Sequence, residues 1–284
     1  MTKIYGHRGA KGIYPENTLL GFKKAIDQGV DGLELDVHLT KDGEVVVIHD
    51  ETLDRTTNGT GWIKDLTLAE IKKCSAGKRF THFDKYEDAW DKEQVPTLEE
   101  VLILLAPSAV ELNIELKTYA IPYEGIEEKI LKIVEQYGKN RSIIYSSFHL
   151  PSILRMKQLD SNAKIAWLLN DVISLPYDYI QALDLEALHL NKTILLPKNE
   201  IFQQLLQFNK QFPMYLPMEI INYLNKKAIE DNDESLQGLY NKVRVWTVNE
   251  PNEIESLLRL QVDAIITDFP DRAIRIRNEQ LNLV

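Results

Sequence analysis

"ELDVHLTKDGEVVVIHD", residues 34–50, carries acid and base groups on both sides of an Asp-Gly turn signal. Asp-Gly at 42–43, between alternating strands, is typical of a two-residue hairpin loop, because the type I′ turn needs positive φ at both central positions. Continuing that ladder outward places Asp36 opposite His49. Glu34 shares the face of Asp36 by the two-residue period of a strand. The hairpin therefore predicts a single site that holds two carboxylates and an imidazole.

Strand-like and helix-like runs alternate along most of the chain. The predicted strands are residues 3–7, 31–37, 111–117, 142–148, 164–169, 186–190, 243–248 and 263–268. The predicted helices include 17–29, 125–138, 150–159, 199–208 and 251–261. Eight such units predict an α/β fold that closes into a (β/α)8 TIM barrel. An open doubly wound sheet is the alternative, but the first strand is followed by "GHRGAKG" rather than by a G-x-G-x-x-G motif.

Two segments interrupt this alternation. Residues 51–110 mix turn residues, aromatics and a short helix, which predicts a small insertion after the second-strand hairpin. Residues 210–241 contain "FPMYLP" and an acidic loop; both segments are equally consistent with lids and with surface decoration. We expect residues 1–284 to form a single barrel domain with these additions.

The stretch "ELNIELK", residues 111–117, adds a third carboxylate. Period-two alternation puts Glu111, Asn113, Glu115 and Lys117 on one face, and we place that face inside the barrel. Glu115 then joins the carboxylates of the hairpin at the C-terminal end of the strands, where barrel enzymes hold their active sites. Three carboxylates without a thiolate cluster are suited to one divalent cation, Mg²⁺ or Ca²⁺. The alternative is that the acids form salt bridges to lysines and arginines of the barrel.

The first strand ends in "GHRG", residues 6–9. The glycines allow backbone to approach a ligand, Arg8 can hold a phosphate or carboxylate with two hydrogen bonds, and His7 titrates near neutral pH. Combined with the hairpin, this motif predicts an acid–base site for an anionic substrate.

Composition excludes several classes of function. The net charge of −10 argues against nucleic acid as a partner, because phosphate recognition needs a basic face. The sequence begins without a signal-peptide pattern and holds no apolar run long enough for a membrane span, so we expect a cytoplasmic protein without stable membrane association. A single cysteine, Cys74, excludes an intrachain disulfide. The oligomeric state is not predicted.

Nine ordered blocks resemble the signatures of the glycerophosphodiester phosphodiesterase family. They are "GHRG", "PENT", "ELDVHLTKDGEVVVIHD", "RTTNGTG", "PTLEEVL", "IELK", "SSF", "VWTVN" and "DAIITDFP", and they run from residue 4 to about 270. The resemblance implies a TIM barrel with an inserted segment, a bound divalent cation, and hydrolysis of small glycerophosphodiesters to sn-glycerol 3-phosphate and an alcohol.

The resemblance also implies roles for residues, motif by motif. His7 and His49 are similar to the catalytic pair of that family. We take His7 as base and His49 as acid, and the reverse assignment stays open because sequence does not orient the substrate. Glu34, Asp36 and Glu115 are similar to its metal ligands.

Further residues resemble the substrate-binding side chains of the family. Arg8 and Lys117 look like its phosphate-binding cations, and Trp246 resembles a residue that lines the glycerol side of the pocket. Gln261 and Ala264 replace glycines expected in the last block, which leaves the specificity for the leaving alcohol open. Whether water attacks directly or through a cyclic phosphate is open too.

Two other functions stay possible from sequence. One is a related phosphodiesterase that acts on lysophospholipids or phosphoinositides; the other is a catalytically silent phosphate-binding barrel, which would have no need of an acid–base pair. For His38 we expect a solvent or rim position, and for Asp268 a cap on the following chain. His189, near a strand end, is a weaker candidate for ligand contact than His7 or His49.

Overall fold

Eight parallel strands form a closed barrel in the computed structural model, which describes residues 1–196 and 238–281. The strands are β1 (Lys3–His7), β2 (Gly32–Leu39), β3 (Val45–Val47), β4 (Glu111–Leu116), β5 (Ile143–Ser147), β6 (Lys164–Leu169), β7 (Ala187–Asn191), β8 (Val243–Trp246) and β9 (Ala264–Thr267). All but β3 belong to the barrel, and β1 closes it by pairing with both β2 and β9. The predicted TIM barrel is confirmed.

Helices surround the barrel. They are α1 (Leu19–Asp27), α2 (Leu68–Ile71), α3 (Leu98–Leu105), α4 (Ile126–Tyr137), α5 (Leu150–Leu159), α6 (Pro176–Ala182), α7 (Lys192–Leu195), α8 (Pro251–Leu260) and α9 (Pro270–Leu281). Alternate strand residues such as Leu112, Ile114 and Leu116 point outward into the core shared with these helices. None of the helices within the described ranges is both long and apolar enough to cross a bilayer. The helix predicted at 199–208 and most of the segment 210–241 lie outside the described residues.

The hairpin forms, but its predicted register is wrong by one residue. Val37 pairs with Val47, so Asp36 lies opposite Ile48, whose N–H donates to the Asp36 carbonyl at 3.0 Å. The loop has three residues between Thr40 and Glu44, because only Gly43, at φ 80°, adopts positive φ.

Asp42 holds the hairpin loop in its three-residue form. Its carboxylate accepts the hydroxyl of Thr40 at 2.6 Å and the N–H of Leu68 at 3.0 Å. The Thr40 hydroxyl oxygen also accepts the N–H of Glu44 at 2.9 Å. These side-chain bonds favour a tight turn followed by one left-handed glycine over a type I′ turn.

The insertion after β3 builds a small second core against one face of the hairpin. The buried residues of this core are Val46 and Ile48 from the hairpin and Leu53, Ile63, Ile71, Ala76 and Val95 from the insertion. We expected the insertion to continue to about residue 110, but α3 within that range packs between α1 and α4 in the outer ring of helices. The extent of the domain, residues 1–284, stays a prediction.

Candidate active site

Three buried carboxylates meet inside the C-terminal end of the barrel. Glu34 and Asp36 lie on β2, and Glu115 lies on β4 directly beside Asp36 in the parallel register. Asp36 has no exposed surface, and each of the three offers an oxygen within 4.8 Å of the others. The sequence predicted that these three acids converge, and the geometry brings them together.

Cations and an amide surround Asp36. Arg8 Nε lies 3.3 Å from Oδ2, Lys117 Nζ lies 3.6 Å from Oδ1, and Asn17 Nδ2 donates to Oδ2 at 2.9 Å. Burial raises the pKa of Asp36, but the charges of Arg8, Lys117 and His49 outweigh it and hold the pKa well below its usual range. Asp36 is therefore ionised at neutral pH.

The pKa values of Glu34 and Glu115 shift in the opposite direction. Burial and the charge of Asp36 raise the pKa of Glu34, and burial also raises the pKa of Glu115, although Lys117 donates to Glu115 Oε1 at 2.8 Å. Three such acids hold excess negative charge unless a proton or a cation joins them. Asp36 Oδ1 is buried without a hydrogen-bond partner among the described residues, so an oxygen ligand is available. The donor set fits a hard divalent cation.

The backbone at Arg8 adopts a left-handed conformation that orients two groups of the site. Arg8 has φ 51°, uncommon for a side chain other than glycine, and this conformation aims its N–H at Glu34 Oε2, 2.9 Å away. The following Gly9, at φ 90°, approaches the backbone of Gly21 too closely for any Cβ. The "HRG" motif thus orients a carboxylate through its backbone and a guanidinium through its side chain.

His7 is held by Asp268, for which the sequence predicted a different role. Its Nδ1 lies 2.6 Å from Asp268 Oδ1, and its Nε2 lies 3.9 Å from Glu34 Oε2. Burial lowers the pKa of His7, although Asp268 acts in the opposite direction. The expectation that Asp268 caps the following chain is wrong, because its second oxygen accepts Asn249 Nδ2 at 2.8 Å and both its side-chain oxygens are used inside the site.

His49 reaches the site from the end of the hairpin rather than from across it. The chain leaves the ladder after Ile48, and His49 lies near enough to Asp36 and Glu115 for a positive charge on its ring to favour the ionised form of both carboxylates. Its Nδ1 lies 2.7 Å from Asp50 Oδ1. Each catalytic candidate therefore has a carboxylate at Nδ1.

His38 does not lie at the rim as expected. It is fully buried, with Nδ1 2.9 Å from the Tyr123 hydroxyl and Nε2 3.0 Å from the His49 carbonyl. Burial lowers its pKa to about 4, so it is neutral at pH 7. His38 therefore anchors the backbone of His49.

An ion-pair chain joins the two sides of the site. Glu16 accepts Arg8 Nη1 at 2.9 Å and both terminal nitrogens of Arg55 at 2.8 Å. Arg55 also donates from Nε to Asp50 Oδ2 at 2.7 Å, and Asp50 binds His49. Hydrogen bonds from Arg55 and the charge of Arg8 outweigh burial and lower the pKa of Glu16 to about 2. This series of ion pairs thus connects Arg8 to His49 through Glu16, Arg55 and Asp50.

Sequence reasoning missed four of these supporting residues as parts of the site. They are Glu16, Asn17, Asp50 and Arg55. All four lie in blocks that carry the family resemblance, "PENT", "ELDVHLTKDGEVVVIHD" and "RTTNGTG", but a block does not show which side chain points inward. Thr18 caps α1 by accepting the Gly21 N–H at 3.0 Å, which leaves Asn17 free to reach Asp36.

The remaining sequence candidates lie close by. Trp246 is half-buried; its indole N–H donates to the His189 carbonyl at 3.1 Å, and its ring meets Phe148 edge-on at 5.6 Å. His189 is fully buried, and neither of its ring nitrogens has a hydrogen-bond partner among the described residues. A cavity of about 420 Å³ opens beside Glu115 and Lys117.

Comparison with known proteins agrees with this geometry. The model of the glycerophosphoryl diester phosphodiesterase family matches residues 7–272. A glycerophosphodiester phosphodiesterase of Bacillus altitudinis is 38% identical over 280 residues, which cover 98% of this chain and 99% of the relative.

Solved structures share the fold. A glycerophosphodiester phosphodiesterase from Agrobacterium tumefaciens is 27% identical with a TM-score of 0.71, over 97% of this chain and 100% of that one. A phosphodiesterase from Oleispira antarctica, solved with its product sn-glycerol-3-phosphate, is 24% identical with a TM-score of 0.76, over 98% and 97% of the two chains. The match spans every part of the site, from His7 to Asp268. This chain therefore belongs to the glycerophosphoryl diester phosphodiesterase family and is a phosphodiesterase of that family.

Proposed function

We propose that the protein hydrolyses glycerophosphodiesters to sn-glycerol 3-phosphate and an alcohol, with His7 and His49 as the acid–base pair and one divalent cation, Mg²⁺ or Ca²⁺, held by Glu34, Asp36 and Glu115. The observation that carries this proposal is the shared environment of the two imidazoles. Each has a carboxylate at Nδ1, 2.6 Å away for His7 and 2.7 Å for His49, and both lie beside the three buried acids.

A carboxylate at Nδ1 has a direct chemical consequence. It fixes the tautomer with the proton on Nδ1 and leaves Nε2 to accept or donate a proton. Nε2 of His7 faces Glu34 in the interior of the site. Two histidines prepared in this way suit a reaction that removes one proton from the attacking hydroxyl and delivers another to the departing alkoxide.

The difference between the histidines supports the assignment of His7 as base. Burial lowers the pKa of His7, so it is unprotonated at neutral pH and ready to accept a proton. His49 is partly exposed and bound to Asp50, which is also paired with Arg55, and this more open position suits proton delivery to the leaving alcohol.

Arg8 and Lys117 supply the positive charge for the phosphodiester anion. Both are largely buried, and nearby carboxylates raise both pKa values above the ordinary range despite burial. They therefore stay charged and can neutralise oxygens whose negative charge grows in the transition state. A divalent cation bound to the three carboxylates would polarise the same phosphoryl group. The proposal also assigns the half-buried ring of Trp246 to the glycerol arm.

The test is release of sn-glycerol 3-phosphate from glycerophosphocholine, glycerophosphoethanolamine and glycerophosphoglycerol, with a lysophospholipid as the fourth substrate. We expect turnover of the three glycerophosphodiesters, and loss of turnover to background in His7→Ala and His49→Ala. The matched control is His82→Ala, because His82 is exposed in the insertion. Turnover of the lysophospholipid alone, or undiminished turnover in either site variant, would contradict the proposal.

A further inference from the structure

A cavity extends from the candidate active site to the outside of the barrel. Its volume is about 420 Å³, which is within the usual range for small-molecule pockets. Its inner wall includes Glu115 and Lys117, so it is continuous with the place proposed for the phosphate. The loops after β4 and β6 form its outer wall. A group attached to the phosphate can therefore enter it directly.

Aromatic and aliphatic side chains form most of the remaining wall. Phe148 and Leu168 line the interior, and Trp167 lies beside them. Two wall residues are exposed, Tyr119 with 78% of its surface and Val172 with 41%, so they stand at the mouth of the cavity. An exposed tyrosine at the mouth of a cavity presents a ring face that no other described part of the protein covers. Such faces bind apolar groups and cations.

The other charged residues of the wall are both acidic. Glu51 and Asp171 line the cavity, and no described residue forms a hydrogen bond or ion pair with either carboxylate. Lys117, the basic residue of the wall, is already engaged by Glu115 at 2.8 Å and by Asp36 at 3.6 Å. The outer part of the cavity therefore has negative charge without a positive partner in the described structure.

We propose that this cavity receives the alcohol arm of the substrate and selects alcohols that carry an ammonium group. The inference rests on the proposed function, because the alcohol arm is defined by the diester. Carboxylates together with aromatic faces stabilise an ammonium or quaternary ammonium ion through charge and through the ring quadrupole. A neutral alcohol gains neither interaction, and an anionic alcohol is repelled.

An acyl chain fits the same wall less well. Its hydrocarbon would remove water from Glu51 and Asp171 without offering a hydrogen bond or a positive charge, and an unpaired carboxylate is costly to desolvate. A cationic alcohol removes the same water and supplies the missing charge. The two carboxylates therefore favour the ammonium group over the chain.

The experiment compares kcat/KM for glycerophosphocholine, which has a quaternary ammonium, with that for glycerophosphoglycerol, which is uncharged at the alcohol. We expect the native protein to prefer glycerophosphocholine. In the double variant Glu51→Gln with Asp171→Asn, we expect kcat/KM for glycerophosphocholine to fall roughly tenfold, a change of about 1.4 kcal/mol in transition-state binding, while glycerophosphoglycerol changes less than about twofold. Neither residue was placed in the acid–base or phosphate machinery.

The control is the double variant Glu128→Gln with Glu135→Gln, two exposed acids on α4 that form no ion pair with any described residue, which makes the same change of net charge away from the cavity. We expect this control to leave kcat/KM unchanged for both substrates. If kcat/KM fell equally for both substrates in the double variant, the cavity would hold the glycerol arm that they share. If kcat/KM fell for neither substrate, the two carboxylates would not meet the substrate. Either result overturns the inference. If the native protein turned over neither diester, the proposed function itself would fail.

Discussion

Asp268 Oδ1 lies 2.6 Å from His7 Nδ1, although the two residues stand at opposite ends of the chain. They meet because β1 and β9 are parallel neighbours that close the barrel, with Gly6 beside Thr267 in the register. Asn249 supports the pair by donating Nδ2 to Asp268 Oδ2 at 2.8 Å, and its own side-chain oxygen accepts the Asp268 N–H at 3.0 Å. Closure of the barrel thus assembles the proposed base with the carboxylate that orients it.

The variant Asp268→Asn tests this pair. We expect kcat to fall roughly 10- to 100-fold with a smaller change in KM, because the amide cannot hold the Nδ1–H tautomer as the carboxylate does. Asp268 opposes the lowering of the His7 pKa, so its loss should move the limb of the pH–rate profile that reports His7 to lower pH. The measurement is kcat/KM against pH, with Asp271→Asn, an exposed neighbour, as control. An unshifted profile with full kcat would contradict the role.

The chain of ion pairs from Arg8 to His49 leads to a second prediction. Glu16→Gln keeps the shape of the side chain but removes the charge that Arg8 and Arg55 share. We expect kcat/KM to fall roughly 10-fold or more, because each guanidinium would lose its charged partner at Glu16 and keep only the other one, Asp36 for Arg8 and Asp50 for Arg55. The difference from the native protein should be smaller at high salt, because screening already weakens the native pair between Glu16 and the partly exposed Arg55.

The control for this variant is Glu279→Gln, an exposed acid on α9. Steady-state kinetics at two ionic strengths give the comparison. Equal rates for Glu16→Gln and the native protein at both strengths would show that the network does not position the site.

Buried His189 predicts a dependence of stability on pH. Burial lowers its pKa well below 6.5, so the unfolded chain takes up a proton that the folded chain refuses. The stability linked to His189 is complete above about pH 6.5 and is lost as the pH falls towards the folded pKa. As the pH falls, we expect the free energy of unfolding of His189→Leu to decline less steeply than that of the native protein. The difference between the two should reach at most about 1.4 kcal/mol for each pH unit below 6.5. Urea unfolding at pH 7.5 and 5.5 measures this, and parallel losses in both proteins would contradict it.

Gln261 offers a prediction about the fold alone. It ends α8 at φ 54°, a left-handed position that usually holds glycine. Gln261→Gly should therefore raise the free energy of unfolding by roughly 1 kcal/mol, since glycine adopts this conformation without the strain of a Cβ. Gln261→Ala keeps the strain and serves as the control. A loss of stability in the glycine variant would show that the left-handed residue is not strained.

The barrel was predictable because burial on both faces imposes near-continuous apolar strands, and because these alternate with amphipathic helices at regular spacing. The three acids were predictable because period-two alternation fixes which side of a strand each one faces. The same rule failed for His49, since the register depends on the loop, and the loop depends on Asp42 bonding to Thr40 and Leu68. Local sequence does not show a bond to a residue 26 positions away.

The supporting residues were less accessible to sequence reasoning for a related reason. Asp268 contacts His7, which lies 261 positions away in the sequence, and Glu16 contacts Arg55, which lies 39 positions away. Such pairings exist only after the barrel closes and the insertion folds over it. A motif can indicate that a residue matters, but only the closed fold shows what it touches.

Metal dependence is the claim on which the account of the site rests most directly, because the three buried acids, Glu34, Asp36 and Glu115, need a countercharge. The measurement is the initial rate of sn-glycerol 3-phosphate release from glycerophosphocholine, first with the protein in excess chelator and then after addition of Mg²⁺ or Ca²⁺. We predict a rate at background in chelator and recovery with a divalent ion but not with Na⁺. An undiminished rate in chelator would contradict the account.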